Sequence, residues 1–177
     1  MSLLNDEILA YVGKTSVKEL ACDPVETGAV RRYSQAIMDD DPIYWDAGAA
    51  GGRYDGPVAP PIFPIDMFRR PFNTPDPVQL YATDPDFDGV GPPAGQGLPP
   101  IEPLRHFAVL YGGSEIEFYR YARLGDRVSV VQRYASITEK QSSKGPMLLV
   151  SIESEYRNQD DDLLVRLSMT TIWRQPT

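Results

Sequence analysis

The chain has 177 residues, about two-fifths of them hydrophobic, which suits one folded domain and leaves no room for two large ones. A formal net charge of -8 argues against nucleic-acid binding, because phosphates need clustered Lys and Arg, although a local group of arginines can still hold a small anion. One cysteine, Cys22, excludes an internal disulfide, and one histidine, His106, excludes a His-rich zinc site.

The N-terminus carries two early acids, Asp6 and Glu7, and no basic segment, so it does not read as a secretory signal. No apolar run approaches the ~18 residues that a spanning helix requires, and a soluble cytoplasmic protein is expected. Residues 2–11 have apolar spacing for a short helix through Leu3, Leu4, Ile8 and Leu9. A second helix has Asp23 as its cap, Pro24 at its first position and Glu26 three residues after the cap; it is expected to end near Met38. Ile62 to Arg70 predicts a third helix, with Pro64 in its first turn, where a missing N–H costs little. Residues 71–103 differ in kind, with nine prolines and almost no periodicity. A stretch of that length is expected to be a lid, a binding loop or an insert, and its apolar residues favour an ordered excursion.

The last third is β-structure. Leu148, Val150, Ile152 and Tyr156 alternate with polar residues, and so do Leu163, Val165, Leu167, Met169 and Trp173. Glu115 to Tyr121 and Arg127 to Ile137 predict two further strands about the turn at Gly125-Asp126. Four antiparallel strands after a helical first half make an α+β domain over residues 1–177. The helix Ile62–Arg70 is the natural cover for the sheet, which gives a curved sheet around one helix. An exposed edge strand in such a sheet invites a second subunit.

The run Tyr33-Ser34-Gln35-Ala36-Ile37-Met38-Asp39-Asp40-Asp41-Pro42-Ile43-Tyr44, followed by Gly56-Pro57-Val58-Ala59-Pro60-Pro61, resembles the MaoC-like dehydratases. It is most similar to their N-terminal-type (FAS1-like dehydratase) branch. The later run from Leu110 to Arg120, with Leu124-Gly125-Asp126-Arg127-Val128, resembles the same branch. The resemblance implies a single hot-dog fold, acyl-thioester ligands and a dimer or pseudo-dimer of hot-dog units. Catalytic members carry an Asp with a His five residues later. Hydrating a double bond conjugated to a thioester needs a base for the water and an acid for the α-carbon, with a donor on the carbonyl oxygen.

Aligned on Pro42, Asp39 falls at the Asp position and Tyr44 where the His belongs. Tyrosine, with an ordinary pKa near ~10, can donate a proton but is a poor base near neutral pH. The branch shares this loss, and its members generally work beside a partner that supplies the Asp/His pair. The resemblance therefore implies a subunit of an enoyl-thioester hydratase or 3-hydroxyacyl-thioester dehydratase, paired with a catalytic MaoC-like chain. The alternatives are a self-sufficient homodimer using Asp39 with Tyr44, and a binding module without chemistry. Asp39 and Tyr44 are the catalytic candidates, possessing an equally simple reading as a polar helix end and a packed ring. The expected acyl walls are Pro60, Ile62, Phe63, Met67 and Phe68, a face that is otherwise core. Arg120 and Arg123, together with Arg69, Arg70 and Arg127, are candidates for a patch that holds the phosphates of coenzyme A. No metal or organic cofactor is expected; coenzyme A or an acyl carrier protein carries the substrate.

Overall fold

A computed structural model describes residues 2–68, 73, 83–84, 97–143 and 145–176. The first helix, α1 (Asp6–Leu9), is shorter than the apolar spacing predicts, with Asn5 capping it by accepting from the Ile8 N–H at 2.9 Å. A two-residue strand, β1 (Glu19–Leu20), follows. The second helix, α2 (Thr27–Ile37), starts later than the expected Asp23 cap. Its predicted first turn is committed elsewhere: the Val25 N–H donates to the Asp126 carbonyl at 2.9 Å, and the Gly125 N–H donates to the Val25 carbonyl at 2.8 Å. These bonds hold residue 25 against the 123–126 turn, so the cap moves to Glu26, in extended conformation. At the other end Met38 takes the left-handed conformation (φ 57°) that closes many helices.

A short helix, α3 (Ala47–Gly51), is capped by Asp46, which accepts from the Gly48 N–H at 2.7 Å. The helix predicted over Ile62–Arg70 is helical here over only four residues, α4 (Phe63–Asp66), with Pro64 in its first turn as expected. Arg69 and Arg70 lie outside the described residues. The longest helix is α2, and Phe63 packs edge-on against its Tyr33, ring centres 5.3 Å apart.

Four long strands follow: β2 (Ala108–Phe118), β3 (Ser129–Ser142), β4 (Gly145–Arg157) and β5 (Leu163–Arg174). They form one antiparallel sheet with β1, in the order β1-β3-β4-β5-β2. The strand predicted to begin at Glu115 begins at Ala108 instead, because the bulge between Tyr111 and Gly113 lets the chain continue through its glycine pair. That strand is an edge of the sheet, with Leu110 and Tyr111 more than half exposed.

One face of β4 is buried at every second residue, from Leu148 to Tyr156. Over that face lie two apolar clusters. The first joins Tyr156, Val128, Val130 and Val165 to Val30, Tyr44, Val58 and Phe63. The second joins Leu148, Val150, Ile152 and Trp173 to Ile8, Leu98, Ile101 and Leu104. Between them runs a polar seam, where Gln132 donates to the buried Ser154 hydroxyl at 3.0 Å. Leu98 and Ile101, from the Pro/Gly-rich segment, are thus ordered against the sheet, and the Tyr134 hydroxyl donates to the Pro99 carbonyl at 3.0 Å. The expectation for Phe72, Leu80, Tyr81 and Phe87 of that segment lies outside the described residues.

The opposite face is charged. Glu155 accepts from Arg166 at 2.8 Å and from Arg157 at 2.9 Å, and Arg133 pairs with Glu153 at 2.9 Å. Among the described residues no helix is long and apolar enough to cross a membrane.

Candidate functional site

The end of α2 and the 3-10 turn Pro42–Tyr44 place the two catalytic candidates in contact. The left-handed Met38 turns the chain back, and Asp41 caps the next turn by accepting from the Ile43 N–H at 3.1 Å. The Tyr44 ring then enters the first apolar cluster with 5% of its surface exposed. Its hydroxyl donates to Asp39 Oδ2 at 2.9 Å, while the Asp41 N–H donates to Asp39 Oδ1 at 3.3 Å. Burial pushes the Tyr44 pKa up strongly. The hydrogen bond and charge of Asp39 add to the shift, with smaller contributions from Tyr121 and Asp41. The phenol is therefore protonated at any physiological pH and can act as a donor, never as a neutral-pH base.

A cavity of about 690 Å³ opens beside this pair, lined by Thr27, Arg31, Ser34, Met38, Asp39 and Trp45 among others. Ser34 is buried, and its hydroxyl has no partner among the described residues. The remaining predicted residues separate into two groups. Pro60 and Phe63 are buried in the core, whereas Ile62, Met67 and Phe68 keep part of their surface. Phe68 meets Tyr156 edge-on, with ring centres 5.5 Å apart. None of the five lines the cavity beside Asp39.

Arg120 and Arg123 come together on a second cavity, of about 500 Å³, with Arg53, Tyr54, Tyr119 and Tyr121. The Tyr54 and Tyr121 rings lie 4.9 Å apart. Arg120 pairs with Asp162 at 3.0 Å, and Arg123 reaches Asp55 only at 3.9 Å. Arg53, Tyr54, Tyr121 and Ser34 are not apparent from the sequence as site residues. Arg53 sits in a Gly/Ala-rich turn, and the others look like packing residues. An isolated bridge between Val58 and Arg123, with the Ala59 N–H donating to the Ala122 carbonyl at 2.8 Å, joins the 53–59 and 120–123 segments. His106 is exposed, between the turn Glu102–Leu104 and β2, and lines neither cavity. Among the described residues no group of three or more His, Cys, Asp or Glu is arranged to hold a metal ion.

Solved structures share this architecture. The ChsH1-ChsH2 complex from Mycobacterium tuberculosis aligns over 97% of this chain and 89% of its own, at 23% identity and a TM-score of 0.68. A MaoC-like dehydratase from Rhodospirillum rubrum aligns over 93% of this chain and 92% of its own, at 20% identity and 0.56. The truncated HadBC (3R-hydroxyacyl-ACP dehydratase) complex from Mycobacterium tuberculosis aligns over 92% and 98%, at 15% identity and 0.54. At these identities the likeness shows the fold, the α+β hot-dog sheet. No curated protein sequence matches the chain. The family model for the FAS1-like dehydratase domain region matches residues 10–167. Its sheet is shared with a MaoC-like dehydratase, and with nearly its whole length covered by that model the chain belongs to the FAS1-like dehydratase domain region family.

Proposed function

We propose that this chain is the non-catalytic half of an enoyl-thioester hydratase, or 3-hydroxyacyl-thioester dehydratase, whose proton-transfer pair comes from a separate MaoC-like chain. The observation that carries this reading is the Tyr44–Asp39 hydrogen bond of 2.9 Å. A buried phenol stands where catalytic relatives have a histidine, and one oxygen of the carboxylate is already engaged by it.

The chemistry explains why such a half needs a partner. In hydration a base takes a proton from water as the oxygen bonds to the β-carbon. The double-bond electrons move toward the α-carbon and the thioester carbonyl, and an acid then delivers a proton to the α-carbon. A phenol that stays protonated cannot accept the water's proton and return it. In this reading the partner's Asp and His exchange those protons, while this chain contributes apolar surface from Ile62, Met67 and Phe68 to the acyl site. The ligand is an acyl thioester, and β2 is the edge along which the partner docks. That edge is eleven residues long and exposes Leu110, Tyr111 and Phe118, beside the bulge at Tyr111–Gly113 and the exposed Glu115 and Glu117. Two of the structures that the chain resembles are themselves two-component complexes.

The test is hydration of trans-2-enoyl-CoA, followed by loss of the conjugated thioester absorbance, with the chain alone and co-expressed with a MaoC-like chain bearing the Asp-to-His motif. Turnover only in the mixture is expected. Turnover by this chain alone refutes the reading and favours a self-sufficient homodimer using Asp39. Thioester binding with no hydration in any combination assigns a binding module instead.

A further inference from the structure

We infer that the groove along α2 beside Asp39 is closed by the same groove of a second copy of this chain, the two helices running antiparallel about a twofold axis. The contact goes beyond the hydratase reading and does not depend on it, and no residue of the β2 edge lines the groove. Thr27, Arg31, Gln35 and Met38 follow one another at helical spacing and give one stripe of α2 to this cavity of about 690 Å³. Trp45, from the turn after Tyr44, adds its ring.

Two large apolar side chains stand open at this groove. Met38 is 90% exposed and Trp45 is 54% exposed. Met38 is also the residue that takes the left-handed conformation at the end of α2, a place usually held by Gly or Asn. A Cβ is disfavoured there, and a thioether left in water offsets none of that cost within its own chain. Burial against another surface gives the side chain a use.

Charge selects the occupant. Thr27 and Arg31 lie toward the N-terminal end of α2, where the helix dipole is positive, and Asp39 and Asp40 lie at its C-terminal end, where it is negative. Neither charge is satisfied inside the chain. Arg31 bonds only within its own helix, to Gln35 Oε1 at 3.2 Å, and among the described residues it pairs with no carboxylate. Asp40 pairs with no cation among the described residues. A surface with one sign at one end, the other sign at the other and apolar groups between is complementary to itself turned end for end. Midway between Arg31 and Asp40 is Gln35, whose amide carries both donor and acceptor and can meet its own copy at the axis. In the antiparallel pair each Arg31 faces Asp40 of the other copy, and Met38 enters the opposing stripe. The acids that oppose the dipole of their own helix then lie against the positive end of its neighbour.

The test is sedimentation velocity of the full chain over a concentration series, with acrylamide quenching of tryptophan emission at each concentration. The chain has two tryptophans, and Trp173 is only 8% exposed, so quenching reports on Trp45. A dimer is expected, and its formation should lower the quenching. Arg31→Glu and Asp40→Arg should each weaken it at least about tenfold, since the twofold axis counts every substitution twice. An equimolar mixture of these two variants should dimerise again, because each then meets the opposite charge. Met38→Asn suits the left-handed turn, so it should weaken the dimer while the thermal midpoint of the monomer holds or rises. Circular dichroism establishes that each variant is folded. A chain that stays monomeric up to about 1 mM would overturn the inference. So would a dimer that leaves Trp45 open to quencher, folded charge variants that dimerise like the wild type, or a mixture that fails to restore the dimer. Protection of Trp45 only when a MaoC-like chain is added also overturns it, and gives the groove to that chain.

Discussion

Replacing Tyr44 by Phe separates structure from chemistry at the candidate site. The ring stays in its apolar cluster and only the hydroxyl is lost, with the 2.9 Å bond to Asp39. A hydrogen bond to a charged acceptor contributes about 1.5–3 kcal/mol when both groups are dry. Asp39 is only half-buried and also accepts from the Asp41 N–H, so water can replace part of the bond, and about 1–2 kcal/mol is the expected loss. In a domain of this size that lowers Tm by roughly 3–6 °C in a calorimetric scan. Tyr44→Ala empties the ring's place as well and should cost about 3–5 kcal/mol. Turnover of the complex should fall by no more than a few-fold in Tyr44→Phe, since the phenol moves no proton in this account. A loss of about a hundredfold or more in kcat, with Tm little changed, would refute that account and make the Tyr44 hydroxyl an acid of the reaction.

At Gly112 an added Cβ would meet the Thr170 carbonyl oxygen at 2.9 Å and Ile172 at 3.2 Å. Backbone cannot yield there, so Gly112→Ala should cost about 1–3 kcal/mol in denaturant unfolding, whereas Gly51→Ala, with open space around it, should be neutral or slightly stabilising. An unchanged midpoint for Gly112→Ala would count against the register of the β2 bulge. On the charged face, hydrogen bonds from Arg166 first, and then from Arg157, hold the Glu155 pKa below its ordinary value. A depressed carboxylate contributes stability above its unfolded pKa and loses it as pH falls through the folded one. The Tm gap between wild type and Glu155→Gln, about 1 kcal/mol in energy at neutral pH, should therefore close on acidification from about pH 6 to about pH 3. A gap that widens on acidification would be the wrong sign.

Legibility from sequence differed by element for physical reasons. Alternation along β4 and β5 is a direct imprint of one buried face, and both strands fall where the pattern places them. In β2 the same signal is weak, because an edge strand with both faces largely exposed has little reason to alternate. The start of α2 was hidden because its rival partner, the 123–126 turn, is a hundred residues away. At the site, Asp39 and Tyr44 were readable because five residues and one turn join them. The Arg53–Arg123 cavity was half readable: Arg120, Tyr121 and Arg123 stand together in sequence, but Arg53 and Tyr54 meet them through the fold, beside the isolated bridge between Val58 and Arg123.

The polar seam of Gln132 and Ser154 has a mechanical meaning. The two apolar clusters on either side of it are linked by the continuous backbones of β3, β4 and β5. Cooperativity between the half of the molecule that holds Asp39 and Tyr44 and the half anchored by Trp173 then travels through strand hydrogen bonds, as along a stiff beam.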